Sequence, residues 1–116
     1  MQYTLLVNET AADFDQRASA AAPTYWGAYM AYGAAMAAAG VLVSGAGLQA
    51  PATGTTVRLR AGQRQVHDGP FADTKEQLGG YYVIDVPNLD AALEWAARCP
   101  AAPTGSVEVR PHVPVP

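Results

Sequence analysis

The 116-residue sequence is poor in cysteine, histidine and charged residues. Its single cysteine, Cys99, excludes an internal disulfide. A net charge of −3 gives no basic surface that could neutralise many phosphates, so nucleic acid is not expected as a partner. The two histidines, His67 and His112, lack metal-motif spacing, and we expect no metal site; the weak alternative would rest on His67 with Asp68. No phosphate-binding or dinucleotide-binding motif is present, and no cofactor is expected.

Charge is absent altogether between Arg17 and Arg58. Within this stretch, residues 25–43 are numerous enough to cross a bilayer. Alanine, glycine and tyrosine dominate it, however, and alanine promotes membrane insertion far less than leucine, isoleucine or phenylalanine does. We therefore expect a packed helix and no membrane partner. The sequence also lacks the pattern of a secretory signal, which predicts a cytoplasmic protein.

Half of the residues are hydrophobic, which is typical of a folded globular chain. A chain of this length fits one domain with a modest core. We expect the domain to cover residues 1–111. The remaining residues, 112–116, are expected to form a proline-rich tail that cannot extend a strand ladder.

The hydrophobic pattern predicts four main strands, two main helices and a hairpin. The main strands are expected at residues 3–7, 41–49, 81–86 and 106–110, and the hairpin strands at 56–60 and 63–67. Thr24 is the expected N-cap of a first helix that ends at Ala39, and Asn88 caps a second helix before Pro100. Residues 9–23 form a connection with a short helical turn near Phe14.

The first helix carries one stripe of large side chains and no charge. The stripe consists of Tyr25, Tyr29, Tyr32 and Met36 at helical spacing, with alanine and glycine on the other faces. Small uncharged residues allow close packing. We therefore expect this helix to be covered on more than one side.

The order β, α, β, hairpin, β, α, β predicts an α+β fold. Without the hairpin it is the split pattern of a ferredoxin-like antiparallel sheet, with both helices on one face. If Val107 and Val109 face the helices, the open face carries Ser106, Glu108 and Arg110. It also carries one of two alternate sets, either Tyr81, Val83 and Asp85 or Tyr82, Ile84 and Val86. Both sets are rich in apolar area, so a second copy is expected to cover this face in a homodimer.

The loop over residues 68–76 concentrates the candidate binding residues. Asp68, Gly69 and Pro70 predict an enforced turn, and the pair Gly79-Gly80 after the loop predicts a close approach of the backbone. An aspartate near a lysine beside an aromatic ring can hold a small polar ligand or transfer a proton. The loop candidates are Asp68, Phe71, Asp73 and Lys75, with Asp73 as a candidate catalytic residue.

Each loop residue also has a purely structural interpretation. Asp68 can cap its own turn, Phe71 can plug the end of the core, and Lys75 can be a solvated charge. These alternatives stay open at the level of sequence.

The string DGPFADTKEQLGGYYVID starts at Asp68. GVLVSGAGLQ precedes it in the sequence, and VPNLDAALEWAARCP and SVEVRP follow it. This pattern closely resembles the DGPF-type branch of the YCII-related proteins, and the resemblance extends over residues 3–111. It implies a ferredoxin-like domain that pairs into a dimeric α/β barrel, in a family where most members have no established activity. Many DGPF-type proteins are linked by gene neighbourhood with extracytoplasmic-function sigma factors, which implies an accessory role in that regulation.

In the enzyme-like YCII members, a histidine on the first helix and an aspartate about two turns later form a catalytic dyad. When Gly40 is matched with the equivalent glycine, Tyr29 stands at the histidine position and Ala38 at the aspartate position. A tyrosine hydroxyl can orient a substrate, but its ordinary pKa near 10 makes it a poor base at neutral pH. Tyr29 is therefore a second candidate catalytic residue, with a core role as the alternative. Tyr32 and Tyr81 are further candidate binding residues.

Three functions remain as hypotheses. The first is a cytoplasmic homodimer that binds a small polar or aromatic molecule in a cleft between the sheet, the first helix and the Asp68 loop. The second is a lyase or isomerase acting on a small organic acid, by analogy with YCII members that process such acids. The third is a protein-interaction module without a ligand.

Overall fold

The computed structural model describes residues 1–70, 72 and 74–115. Within them, the chain forms six strands and three α-helices. The strands are β1 (Gln2–Thr10), β2 (Leu42–Gly47), β3 (Thr55–Arg60), β4 (Gln63–Asp68), β5 (Glu76–Asp85) and β6 (Ser106–Pro111). The helices are α1 (Ala11–Asp15), α2 (Ala22–Ala38) and α3 (Leu89–Ala97). The predicted Phe71 and Asp73 sites lie outside the described residues.

Four of the strands form an antiparallel sheet in the order β2-β5-β1-β6, and β3 pairs with β4 in a separate hairpin. The predicted α+β class is confirmed. In the sheet, Leu5 lies opposite Tyr82 on one side and opposite Val109 on the other. This register decides which side chains share a face, because directly opposed residues in an antiparallel pair point the same way.

The core lies between one face of the sheet and helices α2 and α3. Leu5 of β1, Met36 of α2, Ile84 of β5 and Ala92 of α3 are fully buried in it. Val107 and Val109 pack against this cluster, as predicted. The open face therefore carries the set with Tyr81, Val83 and Asp85, because Ile84 and Val86 are buried on the helix side.

The start of α2 differs from the sequence prediction. The helix begins at Ala22 with Ala21 as its N-cap, and Tyr25 N–H donates to the Ala21 carbonyl at 2.9 Å. Thr24 is therefore wrong as the N-cap. Pro23 explains the earlier start, because proline has no N–H to lose in the first helical turn and its fixed φ suits the helix.

The expected cover on several sides of α2 is not found among the described residues of the single chain. Tyr25, Tyr32 and Met36 are buried, but Met30 on another face is 74% exposed. Among the described residues, no helix combines the length and apolar character that a membrane crossing requires. The predicted cap of α3 is confirmed, since the Asn88 side chain accepts a hydrogen bond from Ala91 N–H at 2.9 Å.

Two tight turns define the inserted hairpin. Ala61 and Gly62 both have positive φ, 52° and 75°, which matches the two-residue turn that suits the twist of a hairpin. At the base, Gly69 has φ 103° and its N–H donates to the Gly54 carbonyl at 2.6 Å. The predicted turn at Asp68 and Gly69 therefore closes the hairpin onto the chain that precedes it.

Candidate functional site

The carboxylate of Glu9, near the end of β1, is the centre of the candidate site. Glu9 continues the inward-facing alternation of Tyr3, Leu5 and Val7, and only 1% of it is exposed. Thr10 and Asp13 form a capping box that starts α1 immediately afterwards, so the strand ends with its acidic residue still in the core. A buried carboxylate is costly unless donors and an opposite charge surround it.

Arg17 and Tyr25 provide those donors. Arg17 Nη2 lies 2.8 Å from Glu9 Oε1, and the Tyr25 hydroxyl donates to Glu9 Oε2 at 2.5 Å. Arg17 Nε in turn donates to the Tyr25 hydroxyl oxygen at 2.9 Å. The three side chains form a closed ring of charge-assisted hydrogen bonds in which each carboxylate oxygen accepts at least one donor.

The Arg17 guanidinium is held on several sides. It lies 4.7 Å from the ring centre of Phe14 and 5.1 Å from that of Trp26. It also donates to the carbonyls of Leu48 and Gly79. Burial acts to lower the pKa of Arg17, but the hydrogen bond to Tyr25 and the charge of Glu9 outweigh it and raise the pKa. The guanidinium thus stays charged, and most of its donors already bind groups of the protein itself.

Gly79 makes room for the Glu9 carboxylate. The pairing between β1 and β5 shifts from Val7 opposite Gly80 to Asn8 opposite Leu78, which leaves Gly79 as an extra residue in a bulge. A Cβ atom at Gly79 would overlap Glu9 Oε1. The close approach predicted for the double glycine is therefore an approach to this carboxylate.

Two cavities meet at this group of residues. One, of about 70 Å³, lies between Glu9, Trp26, Tyr82 and the glycines of β2 and β5. The other, of about 220 Å³, lies between α1, α2 and the segment around Ala101. Glu9, Tyr25 and Tyr29 line both cavities. We call Glu9, Arg17, Tyr25 and Tyr29, with these two cavities, the Glu9 site.

Tyr29 is the unusual member of the Glu9 site. Its hydroxyl is buried and has no hydrogen-bond partner among the described residues. Burial, followed by the charge of Glu9, raises the Tyr29 pKa far above its ordinary value, so this group is a neutral phenol that can donate a proton in a hydrogen bond. An unpaired buried hydroxyl costs about 1–3 kcal/mol of stability. Most buried polar groups are paired, so this exception needs an explanation.

The structure distributes the other predicted residues over three places. Asp68 and Lys75 line an open surface groove together with Phe14 and His67. Tyr32 lies in the core, and its hydroxyl donates to the Trp95 carbonyl at 2.7 Å. Tyr81 lies on the open face of the sheet, opposite Leu6.

The Glu9 site and the Asp68 groove are thus separate among the described residues. Phe14 stands between them, because it lines the groove and also contacts the Arg17 guanidinium. Within the described part of the chain, no three His, Cys, Asp or Glu side chains come together as potential metal ligands.

Sequence reasoning missed the roles of Glu9 and Arg17. It ended the first strand at Val7 and treated Glu9 as the beginning of a polar connection. The available signal was the continued alternation to residue 9, which places a carboxylate on the apolar face of a strand. Such a residue requires a cation, and Arg17 is the next basic residue along the chain.

We expect Gly79→Ala to destabilise the protein by about 1–3 kcal/mol, because the added methyl group must displace the carboxylate of Glu9 from its donors. Urea unfolding would measure the change. Gly27→Ala on α2 is the matched control, since its added methyl group meets open space. This control should stabilise the helix by about 0.5–1 kcal/mol. Equal effects of the two substitutions would contradict the proposed packing.

We also expect stability to fall as the pH rises above about 9. Burial raises the pKa of Cys99 to about 11 and that of Tyr25 and Tyr82 to about 12. Unfolding returns these groups to their ordinary pKa values of 9.0 and 10.0, so the unfolded chain releases protons first and is favoured between pH 9 and 12. Melting temperatures from pH 8 to 11 test this. A flat profile would contradict it.

Comparison with known proteins assigns the chain to a family. A family model described as the YCII-related domain matches residues 1–115. An uncharacterised protein of Rhizobium meliloti (strain 1021) is 55% identical over a 58-residue alignment that covers 48% of this chain and 47% of that protein. The match therefore spans about half the length of this curated relative. Because the family model covers nearly the whole chain, this protein belongs to the YCII-related family.

Proposed function

We propose that the protein is a homodimer that binds a small polar or aromatic molecule in the Glu9 site. The unpartnered hydroxyl of Tyr29 carries this proposal. A donor that is buried at a cost and left unpaired beside two cavities suits a ligand that supplies the missing acceptor.

The walls of the site limit the chemistry of the ligand. The larger cavity, about 220 Å³, exceeds the roughly 150 Å³ that holds benzene in a protein core. The smaller cavity, about 70 Å³, is below that volume and would take only a small substituent of the ligand, between the aromatic walls of Trp26 and Tyr82. Arg17 already pairs with Glu9, so a strongly anionic ligand gains little there. We infer a small ring compound or an unsaturated compound with a carbonyl, ring nitrogen or phenol oxygen that accepts from Tyr29.

A lyase or isomerase acting on a small organic acid is the alternative. Its support is that Tyr29, a candidate catalytic residue, lines both cavities. The dyad of the enzyme-like relatives counts against it, because tyrosine and alanine stand at the two dyad positions here. Two observations favour binding over catalysis. Both oxygens of Glu9 already accept hydrogen bonds, and the raised pKa of Tyr29 leaves it protonated and unable to act as a base.

Assembly into a dimer is the second part of the proposal. The strand order β2-β5-β1-β6, with residues of both α2 and α3 in the core on one side, supports a ferredoxin-like topology. The other side of the sheet carries Leu6, Tyr81 and Val83, and the described part of the chain puts no covering layer over them. A second copy that covers this face would give the dimeric α/β barrel that the resemblance implies.

The remaining hypotheses have less support. A protein-interaction module without a ligand does not account for the unpaired hydroxyl of Tyr29 beside cavities. A cytoplasmic location and an accessory role in sigma-factor regulation rest on the sequence and the family resemblance, and they stay predictions.

Tyr29→Phe tests the binding proposal. We expect it to raise the free energy of unfolding by about 1 kcal/mol, because it removes an unpaired buried hydroxyl. The same change should abolish thermal stabilisation by any ligand that accepts from that hydroxyl. The screen would contain the neutral ring compounds catechol and nicotinamide, and benzoate and small oxoacids as anions that should stabilise the protein less, with melting temperature as the readout.

Tyr32→Phe is the matched control on the same helix. Its hydroxyl has a partner at 2.7 Å, so its loss should cost about 1 kcal/mol and leave ligand-induced stabilisation intact. The binding proposal fails if Tyr29→Phe destabilises the protein as Tyr32→Phe does, or if hits of the screen stabilise Tyr29→Phe and the wild type equally.

The dimer is tested by sedimentation equilibrium. The double variant Tyr81→Ser with Val83→Ser should raise the dissociation constant at least about tenfold, because it removes apolar area from the proposed contact. Met30→Ser is the control, because Met30 is exposed on α2, away from the open sheet face. A wild-type protein that stays monomeric at high micromolar concentration would contradict the dimer.

A further inference from the structure

The hairpin of β3 and β4 projects from the body of the protein. Every residue of its two strands is exposed except the half-buried Thr56. Its base is closed by the hydrogen bond between Gly69 N–H and the Gly54 carbonyl, and by one from the Thr56 hydroxyl to the Gly69 carbonyl. We call residues 55–68 the arm.

The arm has one apolar face that residues 1–70, 72 and 74–115 of its own chain leave uncovered. The register places Val57 opposite Val66 and Leu59 opposite Arg64, so these side chains share a face. The apolar residues Val57, Leu59 and Val66 are 58%, 67% and 54% exposed. The other face is polar, with Arg58, Gln63 and Gln65 among its residues. Such alternation is typical of a strand pair that packs one face against a hydrophobic surface.

A two-stranded hairpin alone in water is marginally stable at best. The overall dimensions agree that the arm extends into solvent. The radius of gyration is 15.9 Å, whereas a compact chain of this length has about 13 Å. The accessible surface of 7469 Å² exceeds that of a typical monomer of this mass by roughly 1,400 Å². A stable interface buries about 800 Å² on each partner, so the excess is enough for one.

Charge separates the arm from the rest of the chain. The arm, residues 55–68, contains Arg58, Arg60 and Arg64 and one acidic residue, Asp68, at its base. The remaining residues contain four of the seven Lys and Arg and nine of the ten Asp and Glu, so their net charge is −5. The body of another copy of the same chain is therefore complementary in charge to the basic, partly apolar arm.

We propose that the arm clasps a second copy of this protein, with Val57, Leu59 and Val66 packed against the partner. This inference rests on the proposed homodimer and adds a second contact to the pairing of the sheets. In a two-fold symmetric dimer each arm reaches the other protomer, so the contact is made twice. Its apolar face provides the burial, and its arginines favour docking on the acidic body.

The test compares the two faces of the arm by sedimentation equilibrium. The triple variant Val57→Ser, Leu59→Ser and Val66→Ser should raise the dissociation constant of the dimer at least about tenfold. The control variant, Gln63→Ser with Gln65→Ser, changes the polar face of the same hairpin and should stay within about twofold of the wild type. Equal constants for the triple variant and the wild type would overturn the clasp.

A second variant tests the clasp even if the triple substitution unfolds the arm locally. Excision of residues 55–68, with Gly54 joined to Gly69 through an Asn-Gly turn, should preserve the circular dichroism spectrum and the cooperative melting of the body while weakening the dimer. An excised protein that dimerises as tightly as the wild type overturns the clasp and leaves the sheet-mediated dimer intact. A wild-type protein that is monomeric overturns both.

Discussion

The ion pair between Glu9 and Arg17 is the interaction on which the candidate site depends. It places a full negative charge in the core of a small domain, where desolvation costs several kcal/mol unless the charge is neutralised. The surrounding structure meets that condition through three different elements. The helix α2 provides the hydroxyl of Tyr25, the turn after α1 provides Arg17, and a bulge in β5 provides space at Gly79. The ion pair thus fixes the relative positions of β1, α2 and β5 around the cavities.

The side chains around this ion pair differ in whether their hydrogen-bonding groups already have partners. Glu9, Arg17 and Tyr25 satisfy one another, and their arrangement needs no ligand. Tyr29, one turn further along α2, lacks a partner among the described residues. A rigid polar ring beside one unsatisfied donor is the arrangement expected of a preorganised binding site, in which little ordering remains to be done when the ligand arrives.

Local patterns made most of the fold predictable. Alternation in β1 and β6, the helical stripe of α2 and the Asn88 cap depend on residues close together in sequence, and the structure confirms them. Where the prediction failed, competing local signals were present. Thr24 has the chemistry of an N-cap, but Pro23 allows the helix to begin three residues earlier. The ring of hydrogen bonds at Glu9 could not be predicted from such patterns. It joins residues 9, 17 and 25 with a bulge at residue 79, and only the tertiary pairing of the strands creates that bulge.

The closure between Gly54 and Gly69 has an evolutionary consequence. Two glycines linked across the base let the chain leave the body and return at nearly the same point, so the arm contributes no side chain to the buried core. Its length and sequence can therefore drift without disturbing the residues around Glu9. Under the proposed clasp, a substitution in the arm would alter the contact between protomers and leave the cavities beside Glu9 unchanged.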